Sequence, residues 1–398
     1  MSPRFAVFPL FVALAAAATP ALAEGGHHAP QLGVAHFDVF QDGDTLHLLT
    51  GYRSADEAGV ALWYRRSSDG GASWTDPTRV NWKDEDLFSP HPGENPQIAA
   101  KGDRVVAMWS SRPNNKPGPL VTAYSDDGGK TWKRGVNPAS DDADDYHPLP
   151  ELGAGPDGFH AVWLHRSTYE GPVQQGLHAA HSVDGKRWGK TETIDQLSCE
   201  CCWNRVVASK DRLGVLYRGA EPRDMKFAGK SGKQWSEGTQ VGKFDWDFGG
   251  CPHTGGGLAQ SVDGKRLHAL VWTGLEGQQG LYYVASKDAG ASWSEARRLG
   301  GEDAVDGDIA LAPDGTLQAA WDNGTTILGA GSSDGGASWS EPATISDGGE
   351  RNRHPRMFTT KYGPVTFWME GKREATVLKS TAGVISMPGL EFPPVGAP

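Results

Sequence analysis

Ser67-Ser68-Asp69-Gly70-Gly71-Ala72-Ser73-Trp74 decides the fold, because its pattern Ser-x-Asp-x-Gly-x-x-Trp returns at Ser125 to Trp132, Ser286 to Trp293 and Ser332 to Trp339. A fifth copy, Ser182 to Trp188, is one residue short, and a sixth keeps only Gly232 and Trp235. The tryptophans are spaced 58, 56, 47, 58 and 46 residues apart. A period of this size is the mark of a repeat architecture. Upstream of each copy stands a short apolar strand, usually ending in Trp: Arg104 to Trp109, Phe159 to Trp163, Leu213 to Tyr217, Leu267 to Trp272, Leu317 to Trp321 and Val365 to Trp368. Thr45 to Thr50 is a weaker first copy, which makes seven units. Each unit reads as four short strands with apolar residues alternating. Four-stranded units repeated in a ring form a β-propeller, so the fold class expected is all-β. Seven blades are expected, with six as the alternative if residues 199–235 merge into a neighbour. Either Val384 to Met387 or an N-terminal strand would supply the last blade's fourth strand.

The Asp element itself reads as structural. Its carboxylate can accept bonds from turn N–H groups, its Gly permits positive φ, and its Trp covers the outer layer. The element resembles the Asp-box (BNR) repeat of the sialidase superfamily, over nearly all of the chain after its N-terminal segment. Asp44 to Trp74 is the closest local match to that family's first repeat. The resemblance implies a sialidase-like propeller.

Composition narrows the partners. A net charge of -11 makes nucleic acid an unexpected ligand. Residues 1–23 read as a signal peptide, with Arg4, an apolar run from Phe5 to Ala18, and an Ala21-Leu22-Ala23 cleavage site. A periplasmic or secreted monomer is expected, with no membrane insertion. Residues 24–34 read as a flexible tail, 35–390 as one propeller domain, and 391–398 as a C-terminal tail. His27 and His28 are assigned to the first tail.

Topology sorts the chemistry by face. The start of strand one and the end of strand two share one face, and the Asp elements lie on the other. Arg53, Arg112, Arg166 and Arg218 follow the ends of second strands, where guanidinium groups suit a carboxylate, sulfate or phosphate. The residues entering first strands form a second ring: His36, His91 with Glu94, His147, Cys201 with Cys202, Cys251 with His253, Asp306 with Asp308, and Arg353 with His354. All four cysteines fall there, as Cys199-Glu200-Cys201-Cys202 and Cys251-Pro252-His253. In an exported protein two disulfides are the simplest expectation. The alternative is a soft-metal site, copper before zinc, using Cys201, Cys202, Cys251, His253, His91, His147 and His354.

Sialidases clamp a carboxylate with three arginines and use a Tyr nucleophile, a Glu base and an Asp acid/base. By resemblance Arg53 and Arg218 match clamp arginines, Asp56 or Glu57 the acid, with Asp56 preferred, and Glu200 the base. The family's opening Arg-Ile-Pro is replaced by Ala35-His36-Phe37, and the last blade's first strand, Pro355-Arg356-Met357-Phe358, has no Tyr. Three functions follow as expectations. One is binding, and possible exo-glycosidase cleavage, of an anionic sugar, which needs no cofactor. A second is a copper- or zinc-binding propeller. The third is a non-catalytic propeller for a glycan or protein.

Overall fold

The computed structural model describes residues 32–54, 59–83, 87, 94–112, 118–140, 146–167, 174–346, 350–372 and 375–385. The expected signal segment and both tails lie largely or wholly outside these residues, as do Asp56, Glu57 and His91. Among the described residues every regular element is a β-strand. They form seven antiparallel sheets, six of four strands and one of five, each in simple meander order. The six-blade alternative is therefore excluded. Residues 199–235 belong to a blade of their own, blade 4, whose outer position is split between Gln234–Trp235 and Thr239–Val241.

The innermost strands are Gly33–Asp42, Gln97–Lys101, Glu151–Gly155, Arg205–Ala208, Gly257–Gln260, Val305–Leu311 and Asn352–Thr360, in blades 1 to 7. Hydrophobic packing is between blades. Seven apolar clusters each join two adjacent sheets, and the one holding Val34, Phe37, Leu46, Phe367 and Leu378 closes blade 7 on blade 1. Blade 7 takes its fourth strand, Gly383–Val384, from the C-terminal side. The N-terminal strand adds only a parallel bridge, Gly33 to Thr376. A closed ring leaves no long sheet edge to pair with another chain.

The Asp boxes act as the sequence suggests and also latch blades together. In the first box Ser67 Oγ donates to Asp69 (2.7 Å) and accepts from the Gly71 N–H (2.8 Å), while Asp69 accepts from the Ser73 N–H (2.9 Å). The other full boxes repeat this, with Gly129, Gly290 and Gly336 N–H groups each 2.9 Å from the box serine. The second glycine is needed for contact as well as for φ. A Cβ on Gly129 (φ 87°) would stand 1.8 Å from the Tyr64 ring of the preceding blade. Trp132 then meets Tyr64 edge-on at 5.4 Å, as Trp339 meets Tyr283 at 5.0 Å and Trp293 meets Phe227 at 5.5 Å. Such aromatic pairs are each worth about 0.5–1.5 kcal/mol beyond their burial.

Candidate functional site: the channel mouth

Charged pairs tie inner strands to one another around the axis. Arg356 bonds Asp38 (2.7 Å) and Asp308 (3.2 Å), and Arg205 bonds Glu151 (3.4 Å). These residues come from five different inner strands, and all three carboxyls are buried. Burial pushes the Glu151 carboxyl up to about 7, against the pull of Arg205 and Arg356. Asp38 is raised by burial in the same way. The end of the axis opposite the Asp boxes, where the inner strands begin, is the mouth.

The backbone around the mouth is irregular. Pairing of the inner strand is broken between Val34 and His36, between Val305 and Asp308, and between Arg353 and Arg356. Bulges re-aim side chains and gather at functional rims. Leu149, His253, Asp306 and His354 hold positive φ of 53, 52, 51 and 54°, each at the entry to an inner strand. Such conformations in non-glycine residues cost free energy and mark sites where geometry is imposed.

Three polar groups occupy this rim. In the first, Glu94 accepts from the Tyr146 hydroxyl at 2.9 Å and from the Ser110 hydroxyl at 3.4 Å. Burial raises Glu94 to about 7 despite these bonds. Next to it His147 Nε2 lies 3.4 Å from His165 Nδ1. In the second, His354 Nδ1 lies 2.9 Å from Asp306 Oδ2, and its N–H donates to Asp322. Burial works against the proton on His354, but the Asp306 carboxylate outweighs it and its pKa is raised. Asp322 rises to about 6 through burial and the neighbouring Asp306.

The third group is the thiol loop between blades 3 and 4. Ser198 N–H donates to Gln175 O (2.7 Å) and Cys199 N–H to Arg218 O (2.9 Å), which pins the loop to both blades. Cys199, Cys201 and Cys202 are buried and form an apolar cluster of their own. Cys199 Sγ lies 3.6 Å from Cys201 Sγ and 3.4 Å from Cys202 Sγ. Asp224 accepts three N–H bonds from Phe244, Asp245 and Trp246, shaping the loop that brings in Cys251 and His253. Donor atoms of Cys201, Cys251 and His253 lie within 4.8 Å of one another, so Cys201 belongs to two ligand sets. Hydrogen bonds with Cys201 and Cys202 hold the Cys199 thiol far below its ordinary value, and Arg223 also bonds it.

All four cysteines are free thiols, so the two disulfides expected from the sequence are not formed in this structure. Of the residues in the metal expectation, Cys201 is grouped with Cys202 in one set and with Cys251 and His253 in another. His147 and His354 do not join them: the first stacks on His165, and the second touches the thiol loop only through Trp203. Arg218 reaches the mouth wall but is fully buried there. It donates to the carbonyls of Thr254, Arg223 and Trp272, tying blade 4 to blade 5. Glu200 is exposed, with its carboxylate 3.6 Å from Cys251 Sγ. Arg53 ends the second strand of blade 1, Arg112 follows that of blade 2, and Arg166 lies in the second strand of blade 3, Gly158–Ser167. Cys199, Tyr146 and the axial charge pairs complete the site. The first was visible as a fourth cysteine; the others carry no motif.

Among the described residues no helix is long and apolar enough to cross a membrane. Residues 31–198 match the BNR repeat-like domain. No curated protein sequence matches the chain. Among solved structures it is similar to a polysaccharide lyase, ulvan lyase, bound to a GlcA(1-4)Rha3S unit (10% identity, 88% of this chain and 94% of that one, TM-score 0.53). A Mycobacterium tuberculosis puromycin-hydrolyzing peptidase aligns over 90% of this chain and 53% of its own, at 12% identity and TM-score 0.52. The intramolecular trans-sialidase of Ruminococcus gnavus aligns over 85% and 90%, at 12% identity and TM-score 0.43. These likenesses concern the fold. With its Asp-box turns and seven four-stranded blades the chain is a seven-bladed β-propeller, and its residues 31–198 are similar to the BNR repeat-like domain.

Proposed function

We propose that this propeller binds a soft metal ion, Cu(I) before Zn(II), in the thiol loop at its channel mouth. The observation that carries the reading is the convergence of three buried free thiols, with sulfur separations of 3.4 and 3.6 Å from Cys199. A tetrahedral ion with metal–sulfur bonds of about 2.3 Å holds its sulfurs roughly 3.8 Å apart, so binding needs only a small expansion. Thiolate donors select soft ions. Arg218 and Arg223 beside the sulfurs would offset the charge of several thiolates. Exposed Cys251 and half-buried His253 would receive the ion and pass it inward through the shared Cys201. His91, His147 and His354 fall outside this reduced ligand set. In the exported location expected from the N-terminus, such a protein would capture or hand over copper. Copper analysis of protein loaded with Cu(I) under reducing conditions tests it. One equivalent in the wild type, lost in Cys199→Ser/Cys202→Ser, is expected. Equal copper in both proteins would refute it.

A second reading places an anionic sugar in the same mouth, with Arg53 and Arg112 contributing to the anion site. Arg166 stands in the corresponding strand, while Arg218 is committed to carbonyls. Glu94 favours this reading, because a buried carboxyl near 7 can exchange a proton at neutral pH, in addition to the acid and base. Asp56 and Glu200 keep the acid and base roles that the family resemblance gave them. Hydrolysis of a fluorogenic acidic glycoside, abolished in Glu94→Gln and weakened in Arg53→Ala, is the expected outcome. Indifference of the rate to both substitutions would remove the reading.

A further inference from the structure

Three second strands carry a histidine at one equivalent place, His47 in blade 1, His160 in blade 3 and His268 in blade 5. In blades 1 and 5 it has a structural partner. His47 Nδ1 lies 2.7 Å from the Tyr64 hydroxyl, and His268 Nδ1 lies 2.7 Å from the Tyr283 hydroxyl. Both tyrosines hold the same cross-strand position, opposite Leu49 and Leu270. In blade 3 that position, opposite Val162, is Ala179. With the ring and hydroxyl gone, a cavity of about 460 Å³ opens against blade 4, lined by Ala179, His160, His181, Arg212 and Lys230 among others.

His160 instead directs Nε2 to Asp157 Oδ1, at 3.1 Å. Asp157 sits in the turn that joins the first two strands of the blade. The cross-strand partner of His160 is His181, where the structural histidines face Arg66 and Ala285. His181 Nε2 lies 3.5 Å from Asp157 Oδ2, and the two imidazole centroids are 5.0 Å apart. One donor atom from each of the three residues lies within 4.8 Å of the other two.

We propose that Asp157, His160 and His181 form a second metal site, for a borderline divalent cation of the Zn(II) class, on the Asp-box face between blades 3 and 4. Two imidazole nitrogens and one carboxylate, with a position left open, are a ligand set such ions take. Metal–nitrogen bonds of about 2.0–2.1 Å separate tetrahedral ligands by roughly 3.3 Å, close to the 3.1 and 3.5 Å that separate the two imidazoles from the Asp157 carboxylate. With no sulfur in the set, this site discriminates against Cu(I) and is chemically distinct from the thiol loop. Arg212 and Lys230 in the cavity wall favour water or a small anion at the open position.

Zinc counting on intact protein after equilibration with Zn(II) and gel filtration tests the assignment. Four proteins are compared: wild type, the serine variant Cys199→Ser/Cys201→Ser/Cys202→Ser, which breaks both thiol ligand sets, His160→Ala/His181→Ala, and His181→Ala alone. All keep His27 and His28, so an N-terminal contribution cancels. The serine variant is expected to retain one equivalent, and the double alanine variant to lose one relative to wild type. His181 is 37% exposed, so His181→Ala is the variant least able to act through the fold. It is expected to weaken zinc binding roughly tenfold or more. Cobalt(II) bound by the serine variant should show no thiolate charge-transfer band. Equal zinc in the double alanine variant and wild type, or no zinc in the serine variant, overturns the site. Failure of the thiol loop alone would appear as the serine variant matching wild type for copper.

Discussion

The two faces of the propeller use the same kinds of residue to opposite ends. On the Asp-box face the aspartates are exposed and satisfied by their own turns, and hydrogen bonds from Ser73 and Ser338 hold Asp69 and Asp334 down to about 2. At the mouth the carboxyls are buried and raised, Asp322 to about 6 and Glu94 to about 7. A box aspartate takes its partners from within five residues. Glu94 takes them from Ser110, Tyr146 and Leu149, and Arg356 takes its partners from blades 1 and 6. The box face is thus locally determined, and the mouth exists only when the ring is closed. Groups held charged by local bonds are inert fixtures, whereas groups kept off their solution pKa by distant neighbours are ready for chemistry. Blade 3 is the exception on the box face, since its histidine there faces a carboxylate and a second imidazole in place of a tyrosine hydroxyl.

Cutting a long-range tie should therefore cost most. Arg356→Ala leaves Asp38 and Asp308 buried without their cation, and a loss of about 3–5 kcal/mol in urea unfolding is expected. A loss under about 1 kcal/mol would mean that the axial pairs add nothing to closure. Next comes pH. Folded Glu94 has its pKa raised from 4.5 to about 7, so between these values the folded protein holds a proton that the unfolded chain has released. Its contribution is complete below pH 4.5 and is lost as pH rises through 7, on the order of 3 kcal/mol. Glu94→Gln, which mimics the protonated carboxyl, should flatten this part of the Tm-against-pH curve. An unchanged slope would take Glu94 out of the comparison. On the box face, Gly129→Ala meets both the Tyr64 ring and a φ of 87°. Its expected cost is on the order of 2–3 kcal/mol.

What the sequence disclosed follows the same division. The box is local, so Ser67 to Trp74 and its copies announced the blades, and the spacing placed Cys201, Cys202, Cys251 and His253 at one mouth. Arg218 shows where register stops being enough. Its strand position was legible, but the carbonyls it serves belong partly to blade 5, and no spacing reveals that. The axial charge pairs were hidden for the same reason, because Asp38, Glu151, Arg205, Asp308 and Arg356 stand on five different strands and pair across the axis. The disulfide expectation rested on the compartment, while the loop geometry converges three sulfurs from four successive residues. Asp157, His160 and His181 did leave a trace. His47, His160 and His268 follow Leu46, Phe159 and Leu267 at one strand position, and Ala179 breaks the tyrosine pattern opposite.

The smallest expected effect is also the cleanest test of local control. Ser125 Oγ donates to Asp127 at 2.7 Å and accepts from the buried Gly129 N–H at 2.9 Å. Ser125→Ala removes both bonds and leaves that N–H without its acceptor, at a cost of about 1–2 kcal/mol. All of these partners lie within one turn, so the loss should appear as faster local amide exchange in blade 2. Metal uptake by the thiol loop and the titration of Glu94 should be unchanged. If instead either mouth property shifts in Ser125→Ala, the box is coupled through its blade to the opposite face, and the division between a local face and a ring-dependent one fails.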